Sequence, residues 1–266
     1  MNLKSQEYEN SQKKQSVSII IPCFNESEGV EPLKKKLLPV LAKLRSVRRI
    51  EVICVDDGST DDTFLKLQKH LGQHAQILSH QTNRGLSAAI QTGVLYSTGN
   101  IICTIDSDCT YDPQDLAGLL DLMRGGVDIV TGSPYHPQGG INNVPGWRLF
   151  LSKGLSQLYQ IVLPQKLYTY TSMFRAYRRE VLENIPVNYP GFLGLVEIVA
   201  EAMLQGYKVA EYPSKLSRRE FGQSKLRVTR VIWSHIKYIV RLILRQAFKP
   251  KKVWLQRHKY TTKNNL

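Results

Sequence analysis

Asp106, Ser107 and Asp108 close the apolar run 101–105 and precede Thr110, Asp112 and Pro113. An apolar run of that length ending in Asp-x-Asp reads as a buried strand that delivers carboxylates at its C-terminal end. Open α/β sheets place their ligands at that edge. Two hard oxygen donors there suit Mg²⁺ or Mn²⁺ together with a diphosphate.

Three more signals stand at strand ends earlier in the chain. Pro22, Cys23, Phe24, Asn25 and Glu26 follow the run 17–21, an arrangement suited to a base or a ribose. Asp56, Asp57, Gly58, Ser59 and Thr60 follow the run 50–55. A carboxylate there can accept from a base N–H, while Ser59 or Thr60 equally suits a helix cap. Asn83, Arg84 and Gly85 lead into Ser87, Ala88 and Ala89, small residues that let a helix start approach a ligand or pack tightly.

The elements that must position these groups alternate. Strands are expected at 17–21, 50–55, 75–78, 101–106 and 127–130, with helices at 31–44, 61–71, 86–96 and 112–125 between them. That alternation predicts βαβ units and a parallel sheet. Beyond Thr131 a Pro- and Gly-rich loop runs to Gly146, followed by a helix over 147–163 and an extended segment over 168–177. A helix over 192–204, a strand over 208–212 and a basic loop over 215–225 follow. The expected organisation is an irregular segment 1–16, a catalytic domain 17–225, a basic amphipathic helix 226–248 and a basic tail 249–266.

Composition bounds the partners. The 266 residues carry a formal net charge of +14, with Arg and Lys dense after Arg175. An acidic partner follows: nucleic acid, an anionic membrane surface or a phosphorylated substrate. No zinc-finger, RNA-recognition or DNA-reading pattern is present, so nucleic acid is not the expected partner. The four cysteines form no Cys-x-x-Cys pair and sit largely in apolar runs, as buried residues of a reducing compartment do. Residues 1–16 lack an apolar signal core, and no run is long and apolar enough to span a bilayer. The expected location is cytoplasmic and peripheral to a membrane.

In this order and spacing the four signals resemble family 2 glycosyltransferases of the GT-A type, most clearly over residues 17–135. The later chain resembles one branch, the dolichol- or polyprenyl-phosphate mannosyl and glucosyl synthases. The segments that carry this are Thr171-Ser172-Met173-Phe174-Arg175-Ala176-Tyr177-Arg178-Arg179, ahead of a helix, and Arg219-Glu220-Phe221-Gly222-Gln223-Ser224-Lys225. The resemblance implies an α/β GT-A fold with helices on both faces of a mostly parallel sheet. It implies that Pro22, Phe24, Glu26, Val55, Asp57, Asp106 and Ser107 bind a nucleotide sugar. It further implies that Asp106 and Asp108 hold Mg²⁺ or Mn²⁺ and that Arg179, Arg219 and Lys225 hold phosphates of donor or acceptor.

Two departures from the resemblance bear on mechanism. Pro134 stands where relatives commonly carry Arg, with Arg148 and His136 as compensating candidates, and Arg148 is accordingly placed with Asp106 and Asp108 in the catalytic set. The acidic pair of hydroxyl-glycosylating relatives is absent near Pro190, and Glu197 is the one acid of the matching stretch 190–197. A lipid phosphate is already ionised and needs no base. The expected reaction is inverting transfer of a hexose from GDP- or UDP-sugar to a polyprenyl phosphate, with the apolar, basic segment 226–248 lying on an anionic membrane. Transfer to a saccharide or protein hydroxyl, with Glu197 as base, and an inactive sugar-nucleotide-binding relative are the alternatives.

Overall fold

The computed structural model describes residues 15–219 and 228–247. The chain divides into two compact units on either side of Leu226.

The first unit is built on β1 (Ser16–Cys23), β2 (Arg49–Asp56), β3 (Gln76–Ser79), β4 (Ile101–Thr104), β5 (Ile129–Ser133), β7 (Arg175–Arg178) and β8 (Val209–Pro213). They hydrogen-bond in the order β3-β2-β1-β4-β7-β5-β8. All run parallel except β7, which is antiparallel to both β4 and β5. β1 and β4 are buried along nearly their whole lengths, as strands covered on both faces must be.

Helices cover the two faces for legible reasons. Helix α1 (Val30–Arg45) buries Val30, Leu33, Leu37, Val40, Leu41 and Leu44, one stripe at helical spacing. It shares a core with α2 (Thr63–Leu71) and α4 (Leu116–Leu122). On the other face, α3 (Leu86–Leu95) lies so close to β1 that a Cβ on Gly93 would meet Ile20 Cγ2 at 2.4 Å. The small residues of this helix thus serve close packing. Helix α7 (Gly191–Leu204) covers the same side, with Leu195 packed against Ile90 and Met173.

Two features were not expected from sequence. The segment read as extended over 168–177 yields the short antiparallel β7, followed at once by α6 (Arg179–Asn184). The loop after β5 and the start of the basic loop pair as a small parallel ladder, β6 (Gly140–Asn142) with β9 (Lys215–Ser217). Helix α5 (Gly146–Val162) follows β6. Six parallel strands and the start of β7 therefore bring their ends to one edge. The loops after β1, β2, β4 and β8 meet there.

The second unit contains α8 (Val228–Ala247), the helix expected over 226–248. It exposes Trp233, Val240, Ile243 and Leu244. Among the described residues, no helix is long and apolar enough to cross a membrane.

Candidate active site

The loops after β1 and β2 are laced together. Asn25 adopts φ 51°, a left-handed conformation that Asn tolerates better than most residues. Its backbone N–H donates to Ser59 Oγ (2.8 Å), and its side-chain oxygen accepts from Thr60 N (2.7 Å). Glu26 N donates to Thr63 Oγ1 (2.8 Å). Ser59 and Thr60 therefore fix the loop that carries Glu26; the helix N-cap position falls on Asp62, without a side-chain cap bond. Gly58 makes the crossing possible, with φ +70° and Thr82 backbone 2.4 Å from where a Cβ would stand.

Asp57 turns out to organise the site. Its Oδ1 meets His80 Nδ1 (2.7 Å) and accepts from Arg84 N (2.9 Å), while Oδ2 accepts from Asn83 Nδ2 (3.0 Å) and Gly85 N (2.8 Å). A carboxylate offers about four acceptor positions, and all are taken. The expectation that Asp57 reads a base is corrected accordingly: its carboxylate holds the 80–85 turn in place beneath the cavity. Val55 is corrected too, because its side chain is buried among Ile53, Leu78 and Ala89. Sequence reasoning passed over Asp56. One of its oxygens accepts from Ser79 Oγ (3.2 Å), and the other is buried with no hydrogen-bond partner.

The acidic triplet behaves as its spacing suggested. It leaves β4 in a tight turn, with Cys109 at φ 52° and Thr110 N donating to Asp108 Oδ1 (3.0 Å). Arg219 closes on it from the segment after β9. Its Nε donates to Asp108 Oδ2 and its Nη2 to Glu26 Oε1, each at 2.7 Å. Burial works against the guanidinium charge, yet Asp108 and Glu26 outweigh it and raise the Arg219 pKa. Burial pushes the Asp106 carboxyl well above the usual carboxylate range, and the neighbouring Asp108 charge adds to this, while Arg219 opposes it.

This donor set fits a divalent cation. Two hard carboxylates stand close enough to repel, so a dication there relieves the repulsion. Among the described residues, no cluster of three His, Cys, Asp or Glu side chains is arranged for metal binding. Mg²⁺ is commonly held by one or two carboxylates plus substrate phosphates, and Asp106 and Asp108 match that pattern.

The groups line a cavity of about 740 Å³. Pro22, Cys23, Phe24 and Glu26 form one side, with Asp57, Asn83, Gly85 and Ala89 below. Asp106, Ser107, Asp108, Tyr111, Pro134, Tyr135, Arg148 and Arg219 line it as well. Arg148 is exposed and stacks over Trp147 (5.3 Å to the ring centroid). Sequence reasoning missed Trp147, Leu149, Ser152, Thr171, Ser172 and Phe192, which also line the cavity. For Thr171 and Ser172 the signal lay in the 171–179 resemblance, but only the antiparallel run of β7 carries residues 171–173 to the ligand edge.

Three further candidates fall outside the cavity lining. Arg179 sits at the opposite end of β7, where it donates to Gly99 O (2.7 Å) and Ser97 Oγ (2.8 Å). The length of the strand separates it from the acidic triplet, so it is no phosphate ligand. His136 packs edge-on against Tyr168 (5.7 Å) and does not line the cavity, whereas Arg148 does. Glu197 is 3% exposed and accepts from Asn188 N (2.8 Å), Asn188 Nδ2 (2.9 Å) and Tyr189 N (3.0 Å), so it braces a loop. Lys225 lies outside the described residues.

The chain is 32% identical over 230 residues to the dolichol-phosphate mannosyltransferase of Pyrococcus furiosus, covering 85% of this chain and 63% of that protein. It thus spans less than two thirds of that relative. It is also 32% identical over 222 residues to the polyprenol monophosphomannose synthase of Mycolicibacterium smegmatis, covering 80% of this chain and 81% of that protein. Among solved structures, glucosyl-3-phosphoglycerate synthase of Mycobacterium tuberculosis with Mn²⁺, UDP and phosphoglyceric acid matches with a TM-score of 0.66 at 18% identity, covering 93% of this chain and 84% of that one. That likeness shows a shared GT-A fold. The match to the family described as Glycosyl transferase family 2 runs over residues 18–186, through the laced loops, the acidic triplet and the 171–173 wall, and the chain belongs to that family.

Proposed function

We propose that the chain transfers a hexose, mannose or glucose, from a GDP- or UDP-sugar to a polyprenyl or dolichyl phosphate, with inversion. The observation that carries this is the commitment of the acids. Among the described residues lining the cavity, the carboxylates are Glu26, Asp57, Asp106 and Asp108. Asp57 is fully hydrogen-bonded, Glu26 and Asp108 pair with Arg219, and Asp106 faces Asp108 in the metal-binding pair. Glu197, the back-up base, is turned to its own loop. A hydroxyl acceptor requires a general base, whereas a phosphate monoester is already ionised near neutral pH. The names of both curated relatives, a dolichol-phosphate and a polyprenol-phosphate enzyme, support the same acceptor.

The roles follow from position. Asp106 and Asp108 would hold Mg²⁺ or Mn²⁺, which when bound supplies charge stabilisation to the departing diphosphate. Pro22, Phe24 and Glu26 line the nucleotide end, with the Asp57-braced turn as its floor. Arg148 and Arg219 supply charge-assisted contacts to phosphate oxygens, and Lys225 is assigned to the acceptor phosphate. An acceptor phosphate oxygen forms the new bond to the anomeric carbon as the bond to the diphosphate oxygen breaks. No proton need be removed from the acceptor.

A membrane surface is the proposed platform. Helix α5 exposes Phe150 (77%) and Ile161 (79%) as well as Trp147 and Leu158, spaced along one side of the helix. Its first turns line the cavity through Trp147, Arg148, Leu149 and Ser152. With a net charge of +14, such a face suits an anionic lipid interface.

The test is a donor-by-acceptor assay with Mg²⁺ or Mn²⁺, with Asp108→Ala in parallel. Sugar recovered in the organic phase and lost in the variant is the expected result. Donor hydrolysis alone, or sugar on a soluble acceptor, would overturn it.

A further inference from the structure

Arg219 stands between two acids that come from separate strand ends. The guanidinium reaches Glu26 and Asp108 at 2.7 Å each, with side-chain exposures of 22% for Arg219, 8% for Glu26 and 10% for Asp108. The backbone that carries it is anchored on both sides of the cavity mouth. Ser217 N donates to Thr110 O (2.9 Å) beside the acidic triplet, and Arg218 N donates to Asn142 O (2.9 Å) on β6. A cavity of about 670 Å³ opens alongside, bounded by residues 142–145 and 217–219. The side chain therefore has a place to go without moving its anchor.

We propose that Arg219 is the resident counter-cation of the metal site, and that it releases Glu26 and Asp108 only in exchange for oxygens of an incoming diphosphate. The inference rests on the nucleoside-diphosphate donor proposed above. A bare dication arriving at Asp108 has to break its charge-assisted hydrogen bond from Arg219 Nε, and brings no anionic oxygen to replace it. A dication arriving with a diphosphate brings anionic oxygens that satisfy the same N–H groups. Metal and nucleotide are therefore coupled, and each binds better in the presence of the other. A nucleotide without a diphosphate offers fewer oxygens for the exchange, so Arg219 also selects for the diphosphate.

The test is binding of Mn²⁺ alone, followed by electron paramagnetic resonance or calorimetry, with wild type and Arg219→Gln. Without nucleotide, Arg219→Gln is expected to bind Mn²⁺ about tenfold tighter than wild type, within the usual range of coupling between sites. With saturating GDP or UDP, that advantage disappears. Unchanged or weaker Mn²⁺ binding by the variant overturns the proposal. A wild type whose Mn²⁺ affinity is indifferent to both nucleotides overturns it as well, and that arm needs no variant. No acceptor lipid enters the experiment, so failure here leaves the acceptor reading standing, and failure of the lipid assay leaves this one standing.

Discussion

Asp57 Oδ1 lies 2.7 Å from His80 Nδ1, with both side chains buried, and His80 Nε2 lies 2.9 Å from Thr92 Oγ1 on α3. The pair ties the end of β2 to the turn after β3 and to the helix beneath the cavity. It converts an acid that resembles a ligand into the brace of the nucleotide floor.

Asp57→Ala removes four acceptor interactions and leaves the buried His80 ring without its Nδ1 partner. A loss of roughly 1–3 kcal/mol in folding free energy is expected, together with weaker nucleotide binding. Chemical denaturation and nucleotide titration check both. A variant of normal stability that loses nucleotide binding alone would return Asp57 to the role of a direct ligand.

Glu197→Gln places an amide where three N–H donors converge. Reduced thermal stability is expected, with the pH dependence of kcat unchanged and the rate per folded molecule within a few-fold of wild type. Loss of a true general base would instead cost about 10²–10⁴-fold. Steady-state rates across pH, corrected for folded fraction, distinguish the two.

Phe150→Ser combined with Ile161→Ser alters exposed residues of α5 that do not line the cavity. Weaker sedimentation with anionic vesicles is expected, together with a higher KM for lipid acceptor and unchanged nucleotide affinity. Unaltered vesicle binding would remove α5 from the docking surface.

Glu51 provides a pH-dependent contribution to stability away from the site. Burial raises its pKa, but hydrogen bonds from Ser18, Thr98 and Gly99 outweigh this and lower it below the ordinary glutamate value. A depressed folded pKa means the stabilisation is complete above the unfolded value of about 4.3 and is lost as pH falls through the folded value. Glu51→Gln is expected to cost up to about 1 kcal/mol at neutral pH, because solvent screens a charge that is only partly buried. That difference should shrink below about pH 4. Paired denaturation curves at neutral and acidic pH measure it.

Local pattern alone determined the alternating strands and helices, the acidic triplet at the end of β4 and the membership of Pro22, Phe24 and Glu26 in one pocket. Each rests on groups adjacent in sequence: an apolar run, its period, and the polar residues that end it. The tertiary structure decided the rest, because the deciding partners are distant along the chain. Asp57 reads as a ligand until His80 and the 83–85 turn fill its acceptor positions. Arg179 reads as a phosphate ligand until the antiparallel pairing of β7 with β4 sends it to the far edge of the sheet and brings residues 171–173 to the near one. Arg219 reads as one more basic residue of a loop. The β6–β9 ladder carries it to Asp108 and Glu26, acids whose charge gives that guanidinium its place.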